Sequence, residues 1–179
     1  MPSKYCEMIR GIIIGVIGLV AAAILCVYAG VEAGLMPANA DGKPSKLERW
    51  AARTSLAATL RREAVTAPNP VALNDANLDA GIKLYAQDCA ICHGSANGEP
   101  SRIARGLYQK PPQLAKDGVE DDPDGVTFWK VTHGIRFTGM PAFGASLSDE
   151  ERWQLALFLK HMDSLPPQPE RAWKAVKTL

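Results

Sequence analysis

Five consecutive residues, Cys89-Ala90-Ile91-Cys92-His93, restrict this 179-residue chain more than any other stretch in it. Two cysteines with two residues between them fall one helical turn apart, and a histidine follows directly. That is the spacing c-type haem attachment demands. Each thiol adds across one vinyl group of the porphyrin, and the imidazole then lies beneath the ring centre, where it binds iron from one face. A haem held this way needs a second axial ligand, which must come from elsewhere in the chain.

The same pair of cysteines has two other uses, a redox dithiol or half of a zinc site. Zinc would need more donors, but the other two cysteines, Cys6 and Cys26, lie in or beside an apolar N-terminal stretch. A thioredoxin-like dithiol belongs in a βαβ setting, and no strand-rich pattern surrounds Cys89. The histidine after the second cysteine is required only by haem.

The first part of the chain points to a membrane. Gly11 to Val31 is a run of 21 residues without a charge. As a helix it is about 30 Å long, enough to cross a bilayer core. Lys4 and Arg10 precede it and Glu32 follows, so the N-terminus is expected in the cytoplasm. The rest is then exported, to the periplasmic or extracytoplasmic face of a bacterial inner membrane. A cleaved signal peptide is the competing reading, with Ala38-Asn39-Ala40 as the cleavage site. The apolar core exceeds the roughly 7–15 residues usual for a signal peptide, and the site lies well past its end, which favours a retained anchor. The expected divisions are 1–36 for the cytoplasmic start and anchor, 37–73 for a linker, 74–165 for the haem domain and 166–179 for a tail.

Net charge is +1, so no overall field points to nucleic acid, but its distribution is uneven. Residues 1–74 hold eight Lys and Arg against five acids, whereas residues 75–165 hold nine against thirteen. In the linker, Ser45 with Glu48 reads as a capping box opening an amphipathic helix. Leu47, Trp50, Ala51, Leu56 and Leu60 supply its apolar side, and Arg49, Arg53, Arg61 and Arg62 its charge. This helix either lies on an anionic membrane surface or serves as a linker or strut against another subunit. Ala67-Pro68 and Asn69-Pro70 then break it and mark a hinge.

Past the hinge the pattern is helical throughout. Leu78, Gly81, Ile82 and Tyr85 recur at i, i+3, i+4 and i+7 on a helix leading into the cysteine motif. Gly81 costs about 1 kcal/mol in a helix interior, which predicts a second helix crossing there. The partner starts at a further capping box, Ser148 with Glu151, and is apolar on most faces from Trp153 to Met162. Between them, Asp122-Pro123 predicts an N-cap and first helical position for a short helix bearing Phe128, Trp129 and Val131, closed by Gly134. Pro111 and Pro112 mark an extended loop. No substantial sheet is expected, and the fold class is all-α.

Four side chains are available as second axial ligand: Met140, Met162, His133 and His161. Methionine on an apolar helix is usually core, and His133 at a helix end is usually surface. Met140 differs, because it lies in the loop Phe137-Thr138-Gly139-Met140-Pro141-Ala142-Phe143-Gly144, where no helix accounts for an apolar side chain. Gly139 and Pro141 restrict the backbone on either side. Met140 is therefore the expected ligand, with His133 the runner-up.

Over about residues 74–165 the chain resembles the class I c-type cytochromes. The resemblance rests on the entry helix with Tyr85, the Cys-Ala-Ile-Cys-His-Gly segment, and the Gly-Met-Pro-Ala-Phe-Gly loop ahead of a final helix. It implies an all-α fold wrapping one covalent haem c. It further implies that a proline carbonyl in a Pro-x-Leu loop accepts the proximal imidazole N–H, which maps to Pro112 of Pro112-Gln113-Leu114. A charged or indole side chain commonly meets the propionates in the family, and Trp129 and Arg136 are the candidates here. Membrane-tethered members are familiar.

With iron held by His93 and Met140, no coordination place is left for a small-molecule substrate, and the sequence offers no acid, base or nucleophile constellation. One-electron transfer remains, to redox protein partners or membrane oxidoreductase subunits that dock near Cys92 through small transient contacts. The acids Asp117, Glu120, Asp121, Asp122 and Asp124 form either a solvated loop or a docking patch for a basic partner. The expected function is thus a membrane-anchored electron carrier, not an enzyme. The alternatives are a fixed haem subunit of an oxidoreductase, and a haem enzyme or gas sensor with a labile Met140.

Overall fold

A computed structural model describes residues 4–177, and every regular element among them is helical. The chain divides into two units, residues 1–39 and 40–179. The first is the helix α1 (Lys4–Glu32), 29 residues with none buried, long and apolar enough to cross a membrane.

The second unit opens with α2 (Lys46–Glu63). Ser45 caps it by accepting the Glu48 N–H at 3.1 Å. Only this half of the expected box forms. The Glu48 carboxylate instead accepts the Tyr108 hydroxyl at 2.8 Å, a contact sixty residues away. The stretch predicted as a hinge is also fastened. The Asn69 amide donates to the Trp153 carbonyl at 3.0 Å, and the Val65 carbonyl lies where any Cβ on Gly125 would be. The prolines do end α2, but the segment after it lies along the domain.

α3 (Asp75–Asp88) runs into the single turn α4 (Ala90–His93). α5 (Arg102–Gly106) and α6 (Leu114–Asp117) are brief, and α7 (Asp124–His133) leads to α8 (Asp149–His161). The crossing of α3 and α8 falls at Gly81 as predicted: a Cβ there would meet the Gln154 carbonyl and come within 2.8 Å of the Phe158 Cβ. α8 carries its full capping box, and its residues from Arg152 to Leu159 are buried except Gln154. At α7 the proposed cap is displaced. The helix starts at Asp124 with Pro123 before it, and the Asp122 carboxylate pairs with Lys130 at 2.6 Å.

The last helix, α9 (Pro167–Ala175), lies in the stretch expected to be a tail, yet it places Trp173 in the core. Tyr85, Phe158 and Trp173 meet edge to face, with ring centroids 5.2–5.5 Å apart. Such pairs contribute about 0.5–1.5 kcal/mol each beyond the area they bury. This aromatic triangle locks the end of α3, and therefore the start of the cysteine motif, against α8 and α9.

Candidate haem site

A four-residue helix leaves its carbonyls without helical partners, so they must be satisfied from outside. Around α4 each is. The Ser101 hydroxyl donates to the Ile91 carbonyl, and the Gln113 amide donates to that of Cys92 at 3.1 Å. The Tyr85 hydroxyl donates to the Gly94 carbonyl at 2.8 Å. Burial raises the Tyr85 phenol far above its ordinary pKa, so it stays a donor. Three separate parts of the chain thus hold one turn in place.

The same arrangement fixes the imidazole. His93 Nδ1 is 2.9 Å from the Pro112 carbonyl, which can only accept, so Nδ1 carries the proton and Nε2 keeps its lone pair. Burial lowers the His93 pKa, with the Pro112 bond opposing it, and a neutral ring is the form that binds a metal. Gln113 also donates to the Pro111 carbonyl at 3.2 Å, clamping the residues on both sides of Pro112. Its remaining oxygen is buried and without a partner. Gly94 makes room for that amide: its φ is 77°, and a Cβ there would lie 2.5 Å from Gln113 Oε1.

Cys89 and Cys92 are partly buried and not joined by a disulfide. Burial, with Asp88 adding to it, pushes the Cys89 thiol up to about 12. A redox dithiol needs a lowered thiol pKa, so the environment argues against that use. Among the described residues no three His, Cys, Asp or Glu side chains come together as metal donors, which leaves zinc without a donor set. A histidine with one nitrogen locked and one free, beside two unpaired thiols on the same turn, fits a covalently attached haem. The exposed apolar side chain of Ile103, on the neighbouring α5, fits it as well.

Met140 belongs to a different part of the structure. The loop after α7 turns back at Gly134, whose φ of 63° and missing Cβ let Met140 and Pro141 pass close by. The Ile135 N–H donates to the Met140 carbonyl at 3.2 Å, and the Phe143 N–H to the Val131 carbonyl at 3.0 Å. The Met140 side chain is partly buried, while Phe137 to Gly139 are exposed. Gly139 lies against Leu107, at the end of α5. Of the other ligand candidates, Met162 is buried in the core, His161 ends α8, and His133 lies tilted against Trp129 with ring centroids 4.8 Å apart.

Trp129 and Arg136 are held by neighbours of their own. Trp129, with His133, contributes to lowering the Glu63 pKa, after the larger effect of Arg62 bonded to that carboxylate at 2.6 Å. Arg136 lies over the Phe137 ring at 5.9 Å. Several of the clustered acids serve the local structure: Asp117 accepts the Gln113 N–H at 2.6 Å and Glu120 accepts the Val119 N–H at 2.8 Å. Ser101 and Gln113 were not singled out from sequence, and only the position of Gln113 inside the Pro-x-Leu pattern gives a hint of its role.

Residues 76–159 match the family model for cytochrome c oxidase, cbb3-type, subunit III. A thiosulfate dehydrogenase of Psychrobacter arcticus is 34% identical over 99 residues, which is 55% of this chain and 28% of that protein. The chain therefore spans only a minor part of that relative. Among solved structures, a chain of the reducing HAO-like protein complex of Kuenenia stuttgartiensis is 22% identical, covering 56% of this chain and 52% of its own, with a TM-score of 0.41. With the helical fold and the attachment motif inside the matched segment, this chain carries a class I c-type cytochrome domain, which binds haem c covalently.

Proposed function

We propose that the chain is a membrane-anchored carrier of single electrons, with one haem attached through Cys89 and Cys92 and its iron held by His93 and Met140. The observation that carries this reading is the 2.9 Å contact between His93 Nδ1 and the Pro112 carbonyl, which leaves Nε2 as the nitrogen for iron. When bound, the haem supplies a one-electron couple. The residues of the chain do the rest. Pro112 orients the imidazole and makes it a stronger donor, and Gln113 steadies Pro112. Met140, a weak donor to ferric iron, favours the reduced state and leaves no coordination place for substrate. Trp129 and Arg136 are the candidates for the propionates. α1 is the retained anchor, with the domain on the periplasmic side. In the matured protein the ferric absorption spectrum carries the methionine–iron charge-transfer band, and the reduced protein does not take up carbon monoxide. Absence of the band together with ready carbon monoxide binding overturns the carrier reading in favour of an enzyme or gas sensor.

One observation favours a second reading. The similarity to part of a protein named thiosulfate dehydrogenase fits a haem module working within a larger oxidoreductase. Co-purification with other chains from mild detergent, and haem reduction by thiosulfate in that preparation only, distinguish this from a free carrier.

A further inference from the structure

We infer that the outward face of α2 is a binding surface for anionic lipid headgroups, holding the cytochrome domain against the bilayer. The inference rests on the reading of α1 as a retained anchor.

The structure sorts the residues of α2 by face. Leu56, Thr59 and Leu60 are partly buried, and both acids of the helix fall on that same side at 100° per residue. Glu48 is bonded to Tyr108, and Glu63 lies by Trp129 and is paired with Arg62. The opposite side therefore has no acid. It presents Arg61 and Arg62, with Lys46 at its edge, around two large apolar side chains, Leu47 at 71% and Trp50 at 64% exposure. A helix packed only for stability would turn that leucine and tryptophan inward, where Glu48 and Thr59 point instead.

Charge and composition select the occupant. A basic, acid-free face with tryptophan at its centre matches the headgroup region of a membrane, where indole rings settle and where each nearby Lys or Arg is drawn to anionic lipid. The connection supplies the surface. Residues 33–45 join α1 to α2, and a stretch of that length extends at most about 45 Å, so a bilayer crossed by α1 stays within reach of α2. The contacts on the inner side, Glu48 to Tyr108 and Asn69 to Trp153, then convert lipid binding by one helix into a fixed orientation of the whole domain.

The test uses the full chain reconstituted into vesicles of phosphatidylcholine, with or without a third of phosphatidylglycerol. Trp50 is replaced by photoreactive p-benzoylphenylalanine, and in a control chain Ala86, on exposed α3 surface, is replaced instead. After irradiation, mass spectrometry reads what is joined to each position. The expected result is lipid joined at position 50, at least fivefold more than at position 86, and strongly reduced without phosphatidylglycerol. Adding Lys46→Glu and Arg61→Glu reduces the adduct by about fivefold or more for each charge, on the usual worth of a basic residue near anionic lipid, with the haem spectrum unchanged. A chain that floats with the vesicles but shows no excess lipid at position 50, shows the same amount in both vesicle types, or is joined to protein there overturns the lipid surface alone. A chain that does not float overturns the anchor and the surface together.

Discussion

Around His93 the chain is cross-tied, whereas around Met140 it is held mainly at the ends of a loop. The carbonyls of Ile91, Cys92 and Gly94 each receive a side-chain donor from a different segment, and the imidazole is bonded to Pro112, next to one of those donors. The methionine loop is pinned through Ile135 and Phe143, and inside it Thr138 is exposed and accepts the Met140 N–H at 3.1 Å. The difference teaches which side of the proposed iron site is stiff. On that proposal the proximal side is His93, whose imidazole is already fixed by a bond to protein, and the distal side is Met140, held by a short backbone loop.

Five substitutions break or sharpen that contrast. The largest effect is expected from comparing His93→Ala with Met140→Leu in cells competent for cytochrome maturation. The first yields little or no haem-stained chain. The second yields haem-bearing protein that has lost the methionine–iron band and binds carbon monoxide when reduced, and equal loss of haem in both would erase the contrast. Tyr85→Phe comes next. It leaves the buried Gly94 carbonyl without its donor and costs about 1–3 kcal/mol in urea unfolding, with the methionine band retained. Gln113→Leu frees Pro111 and Cys92 at a cost of about 1 kcal/mol. It also weakens the Pro112 bond to His93, so the imidazole donates less to ferric iron and the midpoint potential shifts upward in a redox titration. Thr138→Ala is the smallest, within about 0.5 kcal/mol in stability because the site is exposed. Its effect is confined to a faster exchange of the sixth ligand, seen as quicker cyanide binding to the ferric protein.

The parts of this molecule that depend on local spacing were legible in the sequence, and those that depend on distant hydrogen bonds were not. Gly81 betrayed its helix crossing because a glycine in an apolar stripe has a packing cause, and Ser148 with Glu151 formed the expected box because both partners lie within one turn. Ser45 with Glu48 has the same spacing, but Tyr108 competes for the carboxylate, and nothing near Glu48 in the sequence announces it. Asp122 was likewise drawn to Lys130 in place of a cap. Asn69 and Gly125 fasten the segment after α2 through contacts with residues far along the chain, so prolines alone suggested a hinge. Trp173 packs from a helix of nine residues with two prolines, too short to show a period. In the site, covalent chemistry forces Cys89, Cys92 and His93 into one local motif, whereas Ser101 and Gln113 act through the carbonyls of other residues and leave no spacing to read.

The most direct measurement is the mass of one peptide. Trypsin cleavage after Lys83 and Arg102 releases residues 84–102, containing both cysteines, from protein matured in cells that make c-type cytochromes. The account predicts this peptide with one haem added and neither cysteine open to alkylation. Recovery of the bare peptide, alkylated at Cys89 and Cys92, contradicts it.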